Sequence, residues 1–195
     1  MPRPTDYLID GYVCHLTHRC HNRDFHLRYT PYCNAYRKWL REGIRRHKVS
    51  VYGYCVTRNH VHVIVHADDH EAVSAMMHLA AGATAKQYNT RRGHLGSVWE
   101  HPYQCTLIET GDHLFECLVY VDLNMVRAGV VAHPRQWGWC GYHELVGVRK
   151  RYRLLDLDRL VAAIGMGDVT SFRRCYSEVL EEKLAAGRRS EEHTS

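Results

Sequence analysis

Two short stretches of the chain carry side chains that could do chemistry together. In Asn59-His60-Val61-His62-Val63-Ile64-Val65, two histidines flank one valine. On an extended strand alternate side chains share a face, so His60 and His62 project one way and Val61, Val63 and Val65 the other. Around Tyr120-Val121-Asp122-Leu123-Asn124, the apolar residues Leu114, Cys117, Leu118, Val121, Met125 and Ala128 recur at helical spacing, in a stripe that leaves out Tyr120 and Asn124. Four apart on a helix, those two stand one above the other, and Arg127 continues the polar face a turn later. Two imidazoles and an amide oxygen are a donor set for a divalent cation that keeps positions open for a phosphate, and a phenol beside them is a nucleophile. That combination suits the breaking of a phosphodiester bond.

Each half alone has a blander explanation. A His-x-His pair on a strand is ordinarily two satisfied polar residues, and a helical tyrosine ordinarily lies at the edge of the core with its hydroxyl in water. Asn124 and Arg127 suit a helix surface, where Arg127 also favours the negative end of the dipole. The conjunction of the two stretches reverses the odds.

The elements that must position these groups follow from patterning. Residues 11–17 alternate as a first strand and 18–23 form a polar loop. Thr30 and Pro31 look like an N-cap and first helical position, ahead of Tyr32, Tyr36, Trp39, Leu40, Gly43 and Ile44 at helix spacing. The opposite face of that helix carries Arg37, Lys38, Arg41, Arg45 and Lys48, a pattern more often a solvated surface than a nucleic-acid track. Residues 49–56 and 61–66 form a hairpin, expected at the centre of the sheet, with the histidines on its second strand. Asp68 or Asp69 caps a second helix ending near Gly93, 103–109 forms a fourth strand, and Gly111-Asp112 opens a tyrosine-bearing helix that runs to Gly129. The fold class is therefore α+β, a ferredoxin-like βαββαβ antiparallel sheet with an added tyrosine-bearing helix and a C-terminal helical extension.

Beyond residue 131 the aromatic, turn-rich segment 133–142 suits a strap that either packs over the domain or contacts bases, and packing is favoured because aromatics are usually core. The basic run Arg149-Lys150-Arg151-Tyr152-Arg153 precedes amphipathic helices at 156–164 and 171–185. The domain organisation expected is 1–148 as the catalytic domain, 149–188 as a basic and helical extension, and 189–195 as an artefactual tail, since those last residues match a translated sequencing adapter.

Bulk properties bound the reading. The chain of 195 residues, 45% of them hydrophobic, suits one cored domain with an appendage. A formal charge of +5, with a pI near 8.8 and 16 histidines, accommodates a polyanionic partner without demanding one. Eight isolated cysteines with no zinc-type pairing and no leading secretory signal fit reduced thiols and a cytoplasmic location. No apolar run approaches the roughly 20 residues needed to span a bilayer.

At this point Asn59-His60-Val61-His62, the run from Tyr120 through Gly129 and the segment from Trp137 through Tyr142 together resemble the single-tyrosine HUH-superfamily transposases, over about residues 5–150. Within that superfamily the chain is most similar to the REP-associated tyrosine transposases. The resemblance implies His60, His62 and Asn124 as metal ligands for magnesium or manganese and Tyr120 as the catalytic nucleophile; Arg23 and Arg127 are the DNA contacts expected beside them. It implies single-stranded DNA with hairpin structure as the partner, no membrane, and a monomer or homodimer. Two departures stand out: Met125 where many members have proline, and His101-Pro102 after Trp99-Glu100 in place of a polar or basic pair. Against this enzyme stand a catalytically inactive module that binds hairpin DNA or RNA, and a metal-dependent hydrolase using water.

Overall fold

The computed structural model describes residues 10–100 and 102–192. Along it run β1 (Tyr12–Arg19), α1 (Thr30–His47), β2 (Ser50–Val56), β3 (His60–Ala67), α2 (His70–Arg92) and β4 (Gln104–Ile108). Then follow α3 (Asp112–Asp122), α4 (Asn124–Arg127), α5 (Tyr142–Leu145), α6 (Leu157–Ile164) and α7 (Val169–Glu192). The strands pair antiparallel in the order β2-β3-β1-β4, as a βαββαβ chain requires. The expected α+β class and strand order hold. The His101 position and the last residues, 193–195, lie outside the described residues.

Local chemistry accounts for most boundaries. Asp69 rather than Asp68 caps α2, its carboxylate accepting from the Glu71 and Ala72 amides at 2.8 and 3.3 Å. The cap of α1 is Tyr29, not Thr30, and makes no side-chain bond to the helix; Pro31 lies in the first turn, where its missing N–H leaves no helical bond unmade.

The hairpin expected at the centre is central only in its second strand. Because α1 carries the chain past one strand position, β3 fills the gap beside β1 and β2 is left at the sheet edge. That edge is nonetheless closed by later chain. The Val56 amide donates to the Trp139 carbonyl, the Gly141 amide to Tyr54 and the Asp156 amide to Val51, each at 2.8 Å. Every residue of β2 is buried as a result. The strap behaves as packing: Trp137 is buried and its indole N–H donates to the Val56 carbonyl at 2.9 Å.

The two faces of the sheet are covered differently. Leu16, Val63 and Val65, fully buried, face the α1/α2 layer, and these helices approach closely at Gly43, where a Cβ would lie 2.9 Å from Met76 Cγ. On the opposite face α3 lies over β2, and a Cβ at Gly53 would come within 2.8 Å of Leu118 Cδ2. Beyond α3, Phe172 and Tyr176 of α7 pack edge-on against Phe115, with ring centroids 6.2 and 6.1 Å away.

Candidate active site

Strand alternation places His60 and His62 on the α3 face, while Val61, Val63 and Val65 enter the apolar core. The rings of the pair are 4.7 Å apart and nearly perpendicular. His60 Nδ1 is 2.8 Å from Asn59 Oδ1 and 3.0 Å from Thr57 Oγ1. Asn59 Oδ1 can only accept, so Nδ1 carries the proton and the lone pair of His60 is at Nε2. His62 Nδ1 lies 2.9 Å from His15 Nε2 and 3.4 Å from Thr17 Oγ1. Its Nε2 faces the Asn124 amide at 3.0 Å.

Burial, with smaller contributions from nearby positive groups, pulls His60 down to about 4 and His62 down to about 2. Both rings are neutral at pH 7, the form in which an imidazole binds a cation.

The nucleophile candidate comes from the other side. Tyr120 is 47% exposed, and its ring meets those of His62 and His15 edge-on at 6.2 and 6.3 Å. The Arg127 guanidinium lies over the tyrosine ring at 3.9 Å and donates to the Tyr120 carbonyl at 2.6 Å. The helix does not run unbroken to Gly129. It ends at Asp122, turns at Leu123 (φ −78°, ψ 0°), and resumes as the four-residue α4. Asn124 and Arg127 therefore sit on a separate short helix, from which the Arg127 guanidinium still reaches over the Tyr120 ring and the Asn124 amide meets His62.

On the far side of α3, Asp122 is buried and accepts from the Tyr176 hydroxyl at 2.6 Å. This bond ties the tyrosine helix to α7.

Arg23 is exposed, in a turn at His21–Arg23 with left-handed backbone (φ 59°), and its carbonyl accepts from Asn59 Nδ2 at 3.2 Å. The loop bearing it is thus pinned one residue from His60. His15, Thr17 and Thr57 touch the histidine pair without having been singled out by sequence. Thr17 stands opposite His62 in the β1/β3 register, and His15 lies two residues along the same face. Nothing in a single strand's pattern reveals its register with another, so no sequence signal marked His15 and Thr17, whereas Thr57 lies three residues before His60 in the same turn, within reach of a local reading.

Among the described residues no three His, Cys, Asp or Glu side chains are grouped to hold a metal ion. The donor set expected here is two histidines and an amide oxygen, and the residues fit it. Both rings are neutral, both have Nδ1 engaged, and turning the Asn124 amide would present oxygen where its nitrogen now meets His62.

The family model for IS200-like transposases matches residues 9–122, more than half of the chain, and the protein belongs to that family. Among solved structures it is similar to one described as a REP-associated tyrosine transposase bound to a REP hairpin, with 21% identity and a TM-score of 0.57 over 77% of this chain and 89% of that chain. That likeness is one of fold. A search of the curated proteins returns no significant match.

Proposed function

We propose that this protein cuts and rejoins single-stranded DNA beside hairpins, with Tyr120 as nucleophile and His60, His62 and Asn124 as the holders of a divalent cation, magnesium or manganese. Membership of a transposase family supports DNA as substrate, and the hairpin bound by the similar structure supports its form. The observation that carries the chemistry is the approach of Tyr120 to the His15–His62–Asn124 cluster from a separate element.

Bound by these donors, the cation would neutralise charge on the scissile phosphate and help orient it. The residues do the rest. Tyr120 Oη attacks phosphorus and loses its proton, the bond from phosphorus to O3′ breaks, and the departing O3′ gains a proton. The products are a 5′-phosphotyrosine and a free 3′-OH. Because the ester is conserved in the protein link, a later 3′-OH can attack it, restore the phenol and join different ends without a nucleotide cofactor. Arg127 holds the ring and offers positive charge to the incoming phosphate, and Arg23 presents a second guanidinium beside the Asn59 turn.

The test is incubation with hairpin-bearing single-stranded DNA and Mn²⁺, followed by denaturing electrophoresis. A covalent protein–DNA adduct that disappears in Tyr120→Phe is expected. Cleavage that survives Tyr120→Phe would assign the attack to water, and salt-sensitive binding with no adduct under any divalent metal would leave only a binding module.

A further inference from the structure

Two basic runs that are about a hundred residues apart in sequence meet at the edge of the sheet. The end of α1 and the loop at 150–156 line an open cleft of about 640 Å³, with Arg45, Lys48, Lys150, Tyr152 and Arg153 among its walls. Glu42 is committed to Arg45 and Arg46, at 2.9 and 2.6 Å. The Asp156 carboxylate accepts from Ser50 Oγ at 3.0 Å and caps α6. Among the described residues no carboxylate is ion-paired with Arg41, Lys48, Lys150 or Arg153. The cleft therefore keeps an excess of exposed positive charge.

The loop that presents this charge is held rigidly from behind. Buried Glu144 accepts from the Leu154 and Leu155 amides at 2.7 and 3.0 Å, and Arg37 donates to the Tyr152 carbonyl at 2.7 Å. Tyr152 itself is 67% exposed, has left-handed backbone (φ 54°), and lies under the Arg41 guanidinium at 5.1 Å. A tyrosine in that conformation costs free energy where glycine or asparagine would not, and its outward ring returns none of it through burial.

We propose that this cleft is a second DNA-docking site, in which Lys48, Lys150 and Arg153 take the phosphodiester backbone and the Tyr152 ring stacks on a base. The proposal rests on the DNA substrate proposed above and extends its footprint. The cleft lies at the Ser50 end of β2 and the histidines follow its Val56 end. Seven strand residues at about 3.3 Å each separate them by roughly 20 Å. DNA reaching both must extend several nucleotides beyond the reacting phosphate.

The experiment measures binding by fluorescence anisotropy across a salt series, using one hairpin oligonucleotide with minimal flanks and one extended by ten nucleotides. The triple variant Lys48→Ala/Lys150→Ala/Arg153→Ala should lose about tenfold in affinity for the extended DNA near 0.15 M salt, with a salt dependence shallower by roughly two to three counterions. The minimal DNA should change by less than about twofold. Tyr152→Gly, which the left-handed backbone accommodates, should keep its melting temperature and still weaken extended-DNA binding.

Extended-DNA affinity and salt slope equal to wild type in folded variants would overturn the proposal. So would loss of binding to anionic phosphatidylglycerol vesicles with DNA binding intact, which would assign the cleft to a membrane surface. Failure of the Tyr120 chemistry is distinguishable, because it appears as absence of adduct in the wild-type protein while these binding differences persist.

Discussion

The two halves of the candidate site are held by different forces. His60 and His62 belong to a strand paired on both sides, so their positions follow from backbone ladders with β1 and β2. Tyr120 and Asn124 stand either side of a helix break and are held by side chains: Asp122 to Tyr176, Arg127 to the Tyr120 ring, and Phe115 against α7. The histidine half is therefore rigid by construction, whereas the tyrosine half depends on chain more than fifty residues further on. The nucleophile role proposed for Tyr120, with attack and later release, would be served by the more adjustable of the two mountings.

That contrast can be broken at several points. The largest effect is expected from the proposed nucleophile and cation holder: Tyr120→Phe should abolish the adduct with Mn²⁺ binding retained, and His62→Ala should abolish both. Chelation by EDTA should reproduce the His62→Ala outcome in the wild-type protein. Mn²⁺ titrations monitored by electron paramagnetic resonance, run beside the adduct assay, separate these cases.

Next comes His15→Ala, which removes the partner of His62 Nδ1 and should weaken Mn²⁺ affinity by about 10- to 100-fold with little change in melting temperature. Unchanged affinity would show that the strand alone orients the ring.

A stability effect should follow from Glu144→Ala. That carboxylate is fully buried and serves Tyr54, Arg37 and two backbone amides, so its removal strands a partly buried cation. Urea denaturation should show a loss of about 3–5 kcal/mol. The smallest effect is Tyr176→Phe, which leaves Asp122 buried without its hydroxyl donor at a cost of about 1–3 kcal/mol. Because Asn124 shares this mounting, the variant should slow adduct formation and weaken Mn²⁺ affinity by less than His15→Ala does; a larger loss of Mn²⁺ affinity than of adduct formation would show that the mounting serves the cation before the nucleophile.

The structure departs from the sequence-based expectations for identifiable physical reasons. The hairpin was legible in the alternation of residues 49–66, but which of its strands is central depends on the α1 crossover. Helix periodicity ran through to Gly129 because the apolar stripe continues past Leu123. The break there is a change of ψ at one residue, which no spacing of apolar side chains records. His15 was hidden because a lone histidine on an alternating strand looks like any exposed polar residue until the neighbouring strand is in register.

What the amino-acid order determined by itself is what a few neighbouring residues can decide: that His60 and His62 share a strand face, that Tyr120 lies off the buried stripe of its helix, and that Asp68 or Asp69 can start α2. These follow from backbone periods of two and about 3.6 residues, which act within a single element. Tertiary structure alone decided that His15 meets His62, that Asn124 turns back to the histidines, and that α1 and the 149–153 run share one cleft. Each of those contacts joins segments about fifty to a hundred residues apart, and such closures are selected by the packing of whole faces rather than by any local preference.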